Sequence, residues 1–165
     1  MSVIKAIRNS LILILLTLAI SACDGDSLSD DKTPPTSEVL YVGEGDTLYL
    51  SFAQNLLQAR MTDNEGLSSL VVEIGSTEEE RTRNDSIYLR YKKVFGKELF
   101  GKTDVTSIFY VPLPATDTIT RNNIRLNLPI VEGDYLMKLI CMDMAGNLDT
   151  IKYDVKLFYQ TIDED

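Results

Sequence analysis

From residue 38 onward the chain is a succession of short β-prone runs closed by turn residues, with no long amphipathic helix between them. Residues 38–42 and 46–52 flank Gly43-Glu44-Gly45, a turn signal. Residues 54–62 continue with less regular alternation as far as Asp63-Asn64-Glu65-Gly66, where Gly66 is free to take a positive φ. Residues 67–74, 108–113, 124–128, 133–143 and 149–159 follow, each bounded by Pro, Gly, Asn or Asp. Strand period places Leu48 and Leu50 on one face and Thr47, Tyr49 and Ser51 on the other. The helical crossovers that a parallel sheet requires are missing. The expected fold is therefore all-β, an antiparallel β-sandwich of about seven or eight strands.

One stretch departs from this pattern. Asp85 is placed to cap a helix in which Ile87, Tyr91, Val94 and Phe95 fall at helical spacing and Gly96 ends it. That spacing favours one short helix inserted between strands over 85–96. The residues before it, 78–84, read as a solvated loop. Near the C-terminus the period is cleaner. Tyr135, Met137, Leu139 and Cys141 share one side of a strand and Lys138 takes the other, so Cys141 is expected inside as a small hydrophobe rather than a reactive thiol.

The inventory of rare residues limits the chemistry. There is no His, no Trp and only two Cys. Ser-His-Asp and Cys-His catalysis are excluded, as are zinc sites built on His and Cys₄ cages. The balance of 16 basic against 25 acidic residues gives −9, the wrong sign for holding nucleic acid phosphates.

The N-terminus speaks to location. Lys5 and Arg8 precede the apolar run LILILLTLAI at 11–20, which at 10 residues suits a signal segment and falls short of the roughly 20 needed to cross a bilayer. Ile20-Ser21-Ala22-Cys23 follows and resembles the bacterial lipobox. That resemblance implies cleavage before Cys23, lipid attachment at Cys23 and stable anchoring by two or three acyl chains. Residues 1–22 are then a lipoprotein signal peptide, 23–37 an anchor and flexible acidic tether, and 38–165 the sandwich domain. Loss of Lys5 and Arg8 takes the net charge from −9 to −11, so attachment is expected from the lipid rather than from anionic headgroups. Cys141 is left without an intramolecular disulfide partner. Asp24, Asp26, Asp30 and Asp31 crowd the tether, and an acidic cluster after the lipid-bearing Cys resembles the surface-export signal of Bacteroidetes-type lipoproteins.

Gly133-Asp134-Tyr135 with Asp143-Met144-Ala145-Gly146-Asn147 resembles the last hairpin of bacterial immunoglobulin-like and cadherin-like domains, and Tyr135 is similar to the tyrosine corner of such sandwiches. Together with Pro34-Pro35-Thr36 and Asp63-Asn64-Glu65-Gly66-Leu67, the chain resembles the lipid-anchored immunoglobulin-like domains of Bacteroidetes lipoproteins. The resemblance runs from about Pro34 to Phe158, and residues 75–106 carry none of it. It implies an immunoglobulin-like fold and a place in the outer membrane, at the cell surface or facing the periplasm, and it supplies no catalytic residues.

In such a sandwich the loops at 63–66 and 143–147 emerge at the same end. Asp63, Asn64, Glu65, Asp143 and Asn147 would then offer oxygens to Ca²⁺, while the competing reading is ordinary turn chemistry. Without calcium, no cofactor is expected. Among the β-prone aromatics, Tyr49 and Tyr88 have the neighbours that favour exposure, as platforms for a glycan or protein partner. The expected function is a non-catalytic, lipid-anchored binding or accessory module. A structural subunit of a larger envelope complex is the alternative, and a carboxylate-based glycoside hydrolase the remote one.

Overall fold

The computed structural model describes residues 30–76, 82–83 and 85–160, and those from Asp31 to 160 belong to one unit. In chain order the strands are β1 (Thr36–Val42), β2 (Thr47–Leu50), β3 (Asn55–Thr62), β4 (Leu67–Gly75), β5 (Thr82–Arg83) and β6 (Ser86–Ile87). They continue as β7 (Arg90–Phe95), β8 (Asp104–Val111), β9 (Thr116–Arg121), β10 (Ile124–Pro129), β11 (Gly133–Asp143) and β12 (Leu148–Tyr159). One sheet runs β1-β3-β8 and a larger one β2-β12-β11-β4-β7, while β9 with β10 and β5 with β6 form two-stranded ribbons. Between these strands every pairing is antiparallel except that of β2 with β12.

Both sheets turn one alternating face into a single buried cluster. β3 contributes Leu57, Ala59 and Met61, and β8 contributes Val105, Phe109 and Val111. From the other sheet come Leu48 and Leu50 of β2, together with Tyr135, Met137, Leu139 and Cys141 of β11, the faces that the period predicts. Each such aliphatic side chain contributes about 1.5–3 kcal/mol of burial.

One buried polar residue ties the sheets together. Asn55, 3% exposed, donates its amide to Tyr49 O at 2.8 Å and Val111 O at 3.1 Å and accepts from Tyr49 N at 2.6 Å, linking β2 to β3 and β8. Just before β2 the chain turns at Gly43, with φ 54°. A Cβ there would lie 1.9 Å from Thr47 O, so only glycine fits.

The inserted helix is not formed. Residues 86–87 make β6 and residues 90–95 make β7, which pairs with the edge of β4 from Leu70 opposite Phe95 to Gly75 opposite Arg90. Tyr91 and Phe95 pack against the core, while Arg90, Lys92 and Val94 are exposed. A full set of backbone partners on β4 outweighs a local helical spacing that a break at Tyr88-Leu89 happens to create.

The domain boundary also moves. β1 begins at Thr36, Pro35 is buried, and Asn147 Nδ2 donates to Asp31 O at 3.0 Å, so the body starts by residue 31 rather than 38. Composition marks 31–37 as tether because the groups that seat it lie far along the chain, from Met61 and Thr62 opposite the start of β1 to Asp149, which accepts from Ser37 Oγ at 2.7 Å. The signal peptide, Cys23 and residues 24–29 lie outside the described residues, as do 78–81 and 84 of the expected loop.

Candidate functional site

At one end of the unit the loops after β3 and after β11 meet, with Met144 N donating to Gly66 O at 2.8 Å. Gly66 has φ 145°, and a Cβ there would sit 3.3 Å from both Gly101 Cα and Met144 Sδ. The meeting brings carboxylate oxygens of Asp31, Asp63 and Asp143 within 4.8 Å of one another. Most of these oxygens are engaged by the chain itself. Asp143, 2% exposed, accepts from Asn147 N at 2.8 Å and from Asn147 Nδ2 at 2.8 Å. Asp63 Oδ2 accepts from Glu65 N at 2.9 Å and Gly66 N at 2.6 Å, an Asx turn. Donation from Thr33 N at 2.9 Å holds Asp31 below the usual carboxylate range. Asp63 Oδ1 is buried and accepts no hydrogen bond.

The five residues singled out for calcium therefore divide. Asp63 and Asp143 converge, and Asn147 braces Asp143 and the Asp31 carbonyl. Glu65 is exposed and its carboxylate is not part of the group, while the side chain of the exposed Asn64 hydrogen-bonds Asp31. Asp31 joins it instead. Sequence reading missed Asp31 because it stands in a stretch of tether-like composition, with no local pattern to mark it.

The aromatic residues also differ from expectation. Tyr88 is half-buried against the core, its ring edge-on to Tyr135 at 6.4 Å, and is not a surface platform. Tyr49 is half-buried and lines a shallow hollow of about 200 Å³ with Tyr41 and Phe52. Among the described residues Phe100 and Phe158 are exposed aromatics, the latter on the outer side of β12, as are Tyr41 and Tyr110 on the outer face of the three-stranded sheet. There Tyr110 stands opposite Leu56, and Arg60 pairs with Asp104 at 2.8 Å. Cys141 is fully buried, and burial pushes its thiol up to about 11.

The outer face of the five-stranded sheet has an order that emerges only from strand register. Cross-strand partners place Val94, Val71, Ile140 and Thr150 in one row over β7, β4, β11 and β12. The next row holds Lys92, Glu73, Lys138 and Lys152. Val94 and Leu148 are 59% and 56% exposed. Lys92 pairs with Glu73 at 2.8 Å. Lys138 and Lys152 stand directly opposite each other, and neither forms an ion pair among the described residues. Beside them a hollow of about 430 Å³ is lined by Gly75, Arg90, Lys92, Leu136 and Lys138.

No protein-family model matches the chain, and no curated protein matches it. Among solved structures it is similar to a superoxide reductase (neelaredoxin) from Ignicoccus hospitalis, at 14% identity over 76% of this chain and 81% of that one, with a TM-score of 0.34. It is also similar to murine CRIg, at 10% identity over 78% of this chain and 100% of that one, with a TM-score of 0.31. Neither likeness transfers a site or an activity. Among the described residues no helix is long and apolar enough to cross a membrane.

Proposed function

We propose that this chain is a lipid-anchored, non-catalytic immunoglobulin-like module of the cell envelope that binds a glycan or protein partner on the outer face of its five-stranded sheet. The observation that carries the reading is the row Val94, Val71 and Ile140 on a sheet face turned away from the core. An antiparallel sheet with one solvated face ordinarily places polar side chains there. A structural subunit of a larger complex is the same reading with a permanent partner.

Strand order supports the immunoglobulin-like assignment. With β3, β4, β8, β11 and β12 in the places of strands B, C, E, F and G, B and E share one sheet and C, F and G the other, and β7 extends the second as C′ does. Tyr135 adds to this, since its hydroxyl donates back to Val131 O at 2.7 Å, the bond of a tyrosine corner. A carboxylate-based hydrolase has less support. The acidic oxygens lie within 4.8 Å of one another, closer than the roughly 5–10 Å of a glycosidase pair, and turn amides and Asn147 engage them.

The loop cluster enters the proposal as a Ca²⁺-accepting brace built on Asp31, Asp63 and Asp143. Asp63 Oδ1 is buried with no donor, and neither Asp63 nor Asp143 forms an ion pair among the described residues. Ca²⁺ takes oxygen ligands in flexible geometry, which suits such a set.

The reading places the lipid anchor at Cys23, in the outer membrane and facing the cell surface; palmitate labelling of the full chain, which Cys23→Ala abolishes, tests the anchor. Copurification from solubilised membranes tests the face. A partner retained by the wild type and by Thr106→Asp but lost with Val94→Asp is expected. Retention by all three chains, or by none, overturns the reading.

A further inference from the structure

Building on that reading, we infer that the occupant of the five-stranded face is an acidic, partly apolar polypeptide segment. Its carboxylates meet Lys138 and Lys152 while its apolar side chains cover Val94, Val71 and Ile140. Three observations carry this. The chain has a net charge of −9, yet the outer side of β4, β7, β11 and β12 gathers Arg90, Lys92, Lys138, Lys152 and Lys156 against Glu73, Asp134 and Asp154. Within that group Lys138 and Lys152 face each other across the β11–β12 pair. Like charges directly opposite disfavour the sheet itself, so an anion between them relieves a cost the fold otherwise carries.

The second observation is adjacency. The apolar and basic rows are two residues apart along each strand, about 7 Å. An extended segment laid between them sends successive side chains alternately to the two rows, so alternation of apolar and acidic residues is the pattern that fits. The third is what the rows lack. Their apolar members are Val and Ile, with no aromatic ring. Sugar rings pack on flat aromatic faces, and the exposed ring on this side of the sheet, Phe158, stands six residues along β12 from Lys152, about 20 Å from the two rows. A polypeptide needs only aliphatic contact and counter-charge.

The test uses the full chain in phosphatidylcholine nanodiscs, with fluorescein-labelled acetyl-(Asp-Leu)₄-amide as probe and empty nanodiscs as blank. Binding is expected in 50 mM NaCl and at least tenfold weaker in 500 mM. The double variant Lys138→Glu/Lys152→Glu weakens it at least tenfold, whereas Lys97→Glu/Lys102→Glu, with the same change of net charge elsewhere, leaves it unchanged. The (Lys-Leu)₄ peptide does not bind, and polygalacturonate does not compete. Equal binding of the basic peptide, stronger competition by polygalacturonate, or indifference to reversal at Lys138 and Lys152 overturns the inference. If no peptide binds while Val94→Asp still releases the copurifying partner, the acidic-segment inference fails and the binding face stands.

Discussion

At the loop end three carboxylates converge within 4.8 Å, and Asn147 together with the amides of Glu65, Gly66 and Thr33 engages most of their oxygens. On the outer face of the five-stranded sheet Lys138 and Lys152 converge too; Glu73, opposite Lys138 on β4, is paired with Lys92 at 2.8 Å, and neither Lys138 nor Lys152 forms an ion pair among the described residues. The first cluster holds loops distant in sequence to one another, so its charges do structural work. The second forms no ion pair among the described residues, so its charges remain available to a partner. Clustering alone therefore does not mark a binding surface. What distinguishes the two is whether neighbouring groups already satisfy the charge.

Substitutions at the two places should accordingly differ in kind. The largest effect is expected for Asp143→Ala, which deletes a buried acceptor of two bonds from Asn147. A loss of about 2–3 kcal/mol in urea-unfolding free energy follows from the strength of bonds to a charged group. A change below about 0.5 kcal/mol would show that the cluster does not brace the loops. Gly66→Ala comes next, at about 1–2 kcal/mol, because its φ of 145° and its 3.3 Å approach to Gly101 Cα leave no room for a methyl group. Millimolar calcium should raise the melting temperature by a few degrees in the wild type and not in Asp63→Asn. Equal shifts in both would remove calcium from the loop end.

At the sheet face the sign reverses. Lys138→Thr takes away one of two facing cations, so stability should hold or rise by up to about 0.5 kcal/mol while affinity for the acidic probe falls several-fold. Destabilisation by more than about 1 kcal/mol would mean that Lys138 has a structural role after all. The last effect is absent at neutral pH and concerns the inner side of the same strand. The Cys141 thiol has its pKa raised from 9.0 to about 11 by burial, so the folded state keeps a proton that the unfolded state gives up. The stability this contributes is complete below pH 9 and is lost as pH rises toward 11, so Cys141→Val should flatten that decline in a pH series of urea midpoints.

How much of this was legible beforehand depended on the range of the interactions involved. The inner faces of β2 and β11 could be read because period two needs only one strand, and Leu48, Leu50, Tyr135 and Leu139 carry it locally. The meeting of the loops at Asp63 and Asp143 was expected from the resemblance to an immunoglobulin-like sandwich, in which the two loops emerge at the same end, with Gly66 and Gly146 supplying the turns. β7 was hidden because its identity rests on β4, which precedes it by some twenty residues. Asp31 was hidden because its partners, Asn147 and Asp143, belong to the final hairpin. The hairpin of β9 and β10 carries its signal locally. Asn122 and Asn123, with φ 51° and 63°, are the residues a two-residue type I′ turn favours. The two rows lay beyond any single-strand reading, since they exist only once β7, β4, β11 and β12 are in register.

The most direct measurement is site-specific photocrosslinking in the cells that carry the full chain, with the photoreactive residue placed in turn at Thr150 and at Thr106. Thr150 ends the apolar row and Thr106 lies exposed on β8 of the other sheet. A discrete adduct from Thr150 that disappears with Lys138→Glu/Lys152→Glu, and none from Thr106, is the expected result. An adduct from Thr106 alone, or a Thr150 adduct indifferent to the charge reversal, would contradict binding through the five-stranded face.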